Sequence, residues 1–126
     1  MIDAWALAAI CIMIGSIIYP FIRKLAASLS ITIGLVIIFM LEMAAIMSTS
    51  WQMPPDDFPY NLAFSPIYLS TGDALYTLVT SIFIHAEFLH IIFNALWLVF
   101  LGLMLEERIG TPRFIAIFLV AGLAGS

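Results

Sequence analysis

The chain has 126 residues, enough for one domain, and 64% of them are hydrophobic, against roughly 45–50% apolar in soluble proteins. Eight acids against four bases give a net charge of -4, which leaves no basic patch for nucleic acid. A single cysteine, Cys11, excludes an intrachain disulfide and lies in an apolar run as a small buried or lipid-facing thiol. A domain this small has no interior for so much apolar surface. The expected solvent is therefore lipid, and the expected fold class is all-α, a polytopic bundle of membrane helices.

A crossing helix needs about 20 mostly apolar residues, at a rise of about 1.5 Å each over a hydrocarbon core of about 30 Å. Ala4–Ile22 meets that length, interrupted only near its end by Pro20. The chain opens Met-Ile-Asp, without the basic start of a secretory signal, so this run reads as a retained membrane helix. Leu25–Met47 is the second candidate span, despite Glu42, and Phe88–Leu105 is the third. A fourth, from Arg113 to Ser126, reaches about 21 Å, short of a full crossing, and ends without a charged or aromatic anchor. On that basis the chain reads as the front part of a longer protein. Gly15, Ser16, Gly34, Gly122 and Gly125 are expected to let helices approach closely.

The bases set an orientation. Arg23 and Lys24 follow the first span, and Arg108 and Arg113 separate the third from the fourth, so one topology puts all four on the cytoplasmic side. The turns at 23–28 and 106–113 are then cytoplasmic, and the N-terminus and the connection at 48–87 face outside. That connection carries Asp56, Asp57, Asp73 and Glu87 and no base. Its aromatic residues, Trp51, Phe58, Tyr60, Phe64, Tyr68 and Tyr76, suit a membrane–water interface. Ser65-Pro66 and Asp73 look like starts of short helices, so the connection is expected to lie along the outer leaflet as amphipathic pieces.

Four polar residues interrupt the greasy stretch TSIFIHAEFLHIIFN, from Thr80 to Asn94. His90 and Asn94 are four apart and share a helix face one turn apart. His85 is five residues before His90, about 140° off that face if the helix is continuous. HAEFLH misses the HExxH spacing of a zinc site, and two histidines leave a metal ligand set short, so no metal and no cofactor is expected. In hydrocarbon, His90 and Asn94 must face protein or a wet cavity. On spacing alone they read first as polar glue between helices, and second as two donors placed to stabilise a developing oxyanion. Glu42, about 8–9 Å from the outer end of its span at about 1.5 Å per residue, reads as a packing residue before a catalytic one.

The segment from Thr77 to Ser126 resembles the rhomboid family of intramembrane serine proteases. It does so through His85, the His90-x-x-x-Asn94 pair, Gly102, Glu106 with Arg108 and Gly110, and the Arg113-Phe114 start of the next span. The resemblance implies a partial rhomboid-like core over 25–126, with 1–24 as an extra N-terminal membrane helix and its basic turn. It implies that His90 and Asn94 help form an oxyanion hole, that His85 supports the connection above the site, and that Glu106 ties helices together at the cytoplasmic end, with Thr111 sharing that network. It implies transmembrane-helix proteins as substrates, cut near the outer surface. The lipid bilayer and the missing C-terminal helices of the same protein are the other partners.

The departures from the family concern the nucleophile. No G-x-S-G string occurs, and no histidine remains to serve as base once His85 and His90 are placed. Ser126 follows Gly125 but falls inside the fourth segment without a base partner, and an unactivated serine is a weak nucleophile. Tyr76-Thr77 stands near the place of the Trp-Arg pair that many rhomboids carry. The chain is therefore expected to hold the oxyanion-hole part of a serine endopeptidase and to be inactive alone. The alternatives are a rhomboid-like pseudoprotease that binds membrane helices without cutting them, and a fragment of a transporter with a histidine proton relay.

Overall fold

The computed structural model describes residues 2–52, 54 and 56–125. Among them the regular elements are all helical: α1 (Ala4–Ile22), α2 (Ala27–Ser48), α3 (Ile67–Thr71), α4 (Thr77–Thr80), α5 (Phe88–Ile109) and α6 (Thr111–Gly125). Two 3-10 turns, at Tyr60–Leu62 and Ser81–Phe83, complete the long connection. Helices α1, α2 and α5 are each long and apolar enough to cross a membrane, whereas α6 is an apolar helix of 15 residues. The chain is thus a helical membrane bundle, as its composition required. Ser126 lies outside the described residues.

Asp3 starts α1 by accepting the Ala6 N–H at 2.7 Å. The buried residues of α1 are Ala6, Ala9, Met13 and Ser16, a single stripe at helical spacing that packs on α2. The two helices approach closely at Gly34, where a Cβ would lie 2.8 Å from that of Ser16. Pro20 has no N–H to offer the carbonyl one turn earlier, that of Ser16. The Ser30 hydroxyl of α2 donates to that carbonyl instead, at 2.7 Å. A defect in one helix is thereby repaired by its neighbour. Gly122 also permits close approach, since its Cβ would meet Ile82 Cδ1 at 2.6 Å. Gly15 and Gly125 do not: nothing lies within 4 Å of where their side chains would begin.

Helix α2 begins at Ala27 rather than Leu25, and no side chain of its own caps it. The cap comes from α5. Glu106 Oε1 accepts the Ala27 N–H at 2.6 Å, and Oε2 accepts the Ser28 N–H at 3.0 Å and the Ser28 hydroxyl at 2.9 Å. The Thr111 hydroxyl of α6 donates to Oε1 at 2.8 Å. One buried carboxylate therefore joins three helix ends, with its charge at the N-terminus of α2, where the helix dipole favours an anion. Because that charge is turned inward and satisfied, α5 continues past Leu105 to Ile109. Gly110 then ends it with φ 87°, a backbone conformation that glycine adopts without strain. The fourth segment accordingly starts at Thr111 rather than Arg113.

These contacts put the α1–α2 turn and the α5–α6 turn side by side, so Arg23, Lys24, Arg108 and Arg113 share one end of the bundle. The long connection occupies the other. It is not wholly peripheral, because Phe58, Leu62 and Phe83 are fully buried in the core. Ile67, Leu69, Leu75 and Val79 are exposed. Helix α3 follows Pro66 as expected, but Asp73 caps nothing, and the next helix starts four residues later at Thr77, whose hydroxyl bonds back to the Ala74 carbonyl.

Two substitutions test this frame. Glu106→Ala strands backbone and hydroxyl donors at the starts of α2 and α6 and should lower stability by at least about 3 kcal/mol, read as a fall in thermal midpoint in lipid nanodiscs. Ser30→Ala leaves the Ser16 carbonyl unpartnered and should cost about 1–2 kcal/mol in the same measurement.

Candidate active site

Helix α5 does not reach back to His85. The chain is extended at Ile84 and at Glu87, and α5 starts only at Phe88. The rotation expected of a continuous helix therefore does not apply, and His85 folds back over the first turns of α5. The residue is buried, 4% exposed, with its ring held at two points and its backbone at a third. Nδ1 stands 3.2 Å from the Phe83 carbonyl, Nε2 stands 2.9 Å from Asn94 Nδ2, and the backbone N–H donates to Glu42 Oε1 at 3.3 Å. These contacts choose a single tautomer. The Asn94 amide nitrogen can only donate, so Nε2 accepts and the ring proton sits on Nδ1, facing the Phe83 carbonyl. Phe83 is itself fixed, its ring packed edge-on to Phe118 of α6 with centroids 5.9 Å apart.

His85, His90 and Asn94 line one open cavity of ≈ 720 Å³ between α2, α5 and α6. Its other walls are mainly apolar, including Trp97, Leu98 and Phe118. His90 is exposed, with its ring T-shaped to that of His85 at 5.0 Å between centroids. Among the described residues, no three of His, Cys, Asp and Glu gather closely enough to hold a metal ion. The chemical capacity of the cavity lies in its donors. An amide NH₂ has two hydrogens, and His85 takes one, which orients the group and leaves the second free. With the His90 imidazole one turn away, that second N–H gives the wall two donors suited to an anionic oxygen.

The remaining predicted residues lie elsewhere. Glu42 is buried on the same α2 stripe as Ile31, Leu35 and Ile38, and supports His85 through its backbone without lining the cavity. Glu106 is sixteen residues beyond His90, about 24 Å along α5, and with Gly110 belongs to the opposite end of the helix. Sequence reasoning missed Asp3 and Thr80. Asp3 Oδ2 accepts the Phe58 N–H at 2.8 Å, and the Thr80 hydroxyl donates to the Leu62 carbonyl at 2.8 Å. An acid directly before an apolar run was a readable helix-start signal for Asp3. Nothing in the sequence announced its second bond.

A multi-pass helical membrane bundle with a cavity between α2, α5 and α6, lined in part by histidine and asparagine, is the class that fold and site define. Comparison with known proteins narrows it. Residues 72–126 match the Rhomboid domain family. Over 99 residues the chain is 27% identical to "Rhomboid-like protease 3" of Toxoplasma gondii, a match that takes in 76% of this chain and 35% of that relative. The chain thus spans about a third of the length of that relative. No solved structure matches. Both matches point to the rhomboid family.

The His85 contacts carry a pH dependence. Burial lowers the pKa of the imidazole below its ordinary value, the Phe83 carbonyl opposes this, and the neighbouring His90 adds to the lowering. Protonation would place a hydrogen on Nε2, against the Asn94 donor. The stability that His85 contributes is therefore complete above the unfolded value of about 6.5 and is lost as pH falls from there toward the lowered folded value. Thermal midpoints should decline below about pH 6.5 in the wild type and decline less in His85→Gln. An identical decline in both would remove His85 as the cause.

Proposed function

We propose that this chain supplies the oxyanion-hole helix of a serine-type intramembrane endopeptidase that cuts transmembrane-helix proteins near the outer membrane surface. What carries the reading is the pairing of His90 and Asn94 on one wall of the cavity, with the Asn94 amide oriented by His85. In this mechanism a serine attacks the scissile carbonyl, and the tetrahedral oxyanion that forms is held by the free Asn94 N–H and the His90 imidazole. A histidine base takes the serine proton and returns it to the leaving amine, and water then resolves the acyl-enzyme. The 126 residues hold no G-x-S-G string and no third histidine. In this reading the nucleophile and base belong to later helices of the complete protein, and the chain alone cleaves nothing. The four bases at one end favour a cytoplasmic placement for that end, which sets His90, Asn94 and the long connection toward the outside.

The same missing nucleophile favours a second reading, a rhomboid-like pseudoprotease that binds membrane helices. The codons beyond residue 126 separate the two: a GxSG with a later histidine supports the enzyme, and a stop codon with a stable product supports the binder. In the complete protein, Asn94→Ala should slow cleavage of a transmembrane substrate by roughly 10²–10³ while expression holds. Undiminished cleavage would remove the assigned role.

A further inference from the structure

We propose that α1 acts as a tether for the long connection, with Asp3 as the positioning residue that holds the approach to His85 and Asn94 in place. Asp3 spends its two carboxylate oxygens differently. Oδ1 accepts the Ala6 N–H at 2.7 Å and caps α1, while Oδ2 accepts the N–H of Phe58, 55 residues away, at 2.8 Å. The residue so held is the fully buried Phe58, which leads into the Tyr60–Leu62 turn. From that turn the connection is bonded onward. The Leu62 carbonyl accepts the Thr80 hydroxyl at 2.8 Å, and the Asn61 carbonyl accepts the Tyr76 hydroxyl at 3.2 Å. Thr80 adjoins the Ser81–Phe83 turn, and the Phe83 carbonyl is the group that fixes the His85 ring. Each link from the first helix to the Asn94 amide is thus a hydrogen bond or a short, tightly turned run of chain. A membrane helix with no side chain in the cavity thereby gains a role in shaping it. Its bearing on catalysis rests on the reading of α5 as an oxyanion-hole helix, whereas the tether itself does not.

Substitution separates the two jobs of Asp3. Serine also caps helices, so Asp3→Ser keeps the bond to Ala6, but its hydroxyl offers no second oxygen to reach Phe58. Asp3→Ala loses both. Hydrogen exchange of the 126-residue chain in lipid nanodiscs reads the outcome without any need for proteolysis. Asp3→Ser should raise exchange at the Phe58 amide roughly tenfold, the loss expected for a bond to a charged acceptor, and raise it also across 80–87, with 4–22 as protected as in the wild type. Asp3→Ala should add fraying of the first turn of α1. Wild-type exchange at Phe58 in Asp3→Ser would overturn the tether. A rise at Phe58 with none across 80–87 would overturn its extension to the site. Failure of the Asn94→Ala cleavage prediction would leave the tether standing, and so would mark the proteolytic reading as the one at fault.

Discussion

Within a bilayer, a backbone N–H at the end of a helix or in a turn has no water to bond with, and an unsatisfied one costs several kcal/mol. The architecture of this protein follows from how those groups are met. Backbone carbonyls meet most of them within turns and caps, and three acidic side chains serve where distant segments join, each reaching out of its own segment to take an N–H from another. Asp3 takes that of Phe58, Glu42 that of His85, and Glu106 those of Ala27 and Ser28. The Ser30 hydroxyl does the matching work for the Ser16 carbonyl that Pro20 leaves open. Apolar packing alone would let helices slide and rotate in lipid, because acyl chains compete equally for apolar surface. These directional bonds fix register.

The same constraint explains why the two ends of α5 differ. At the Glu106 end that carboxyl group spends both oxygens inside the protein and joins α2, α5 and α6. At the other end the supply of donors exceeds the internal demand. Asn94 serves His85 with one hydrogen and keeps the other, and His90 makes a ring contact but no hydrogen bond among the described residues. Spare donors beside an open cavity are costly to leave idle in hydrocarbon.

Acids inside membrane segments are read by default as functional groups. Here Glu42 and Glu106 serve the scaffold, and the difference lies in what they face. Glu42 is on the buried stripe of α2, at helical spacing from Leu35 and Ile38, and its partner is a backbone group rather than a ligand cavity. It still matters to the site at one remove, because the backbone it holds is that of His85. Phe88, Phe93, Trp97 and Phe100 stand exposed on α5, which leaves a broad apolar face of that helix for lipid or for further helices.

Much of this was legible in the residues. Apolar run length fixed the three long helices, and the i, i+4 spacing put His90 and Asn94 on one face, because a helix repeats its geometry from any starting point. The four bases, sorted by turn, divided the bundle into two ends. Partners were not legible. The bond between His85 and Asn94 depends on the chain breaking helix at 84–87, and the cap that Glu106 gives α2 crosses 78 residues of sequence to Ser28. The tasks of Asp3, Ser30 and Thr80 likewise exist only once distant segments lie side by side. Local pattern determines which stretches become helices and which face is apolar, since those depend on near neighbours. Which carboxylate meets which orphaned N–H is decided by the packed bundle alone, because hydrogen bonds form only within about 3 Å and that distance has no trace in sequence separation.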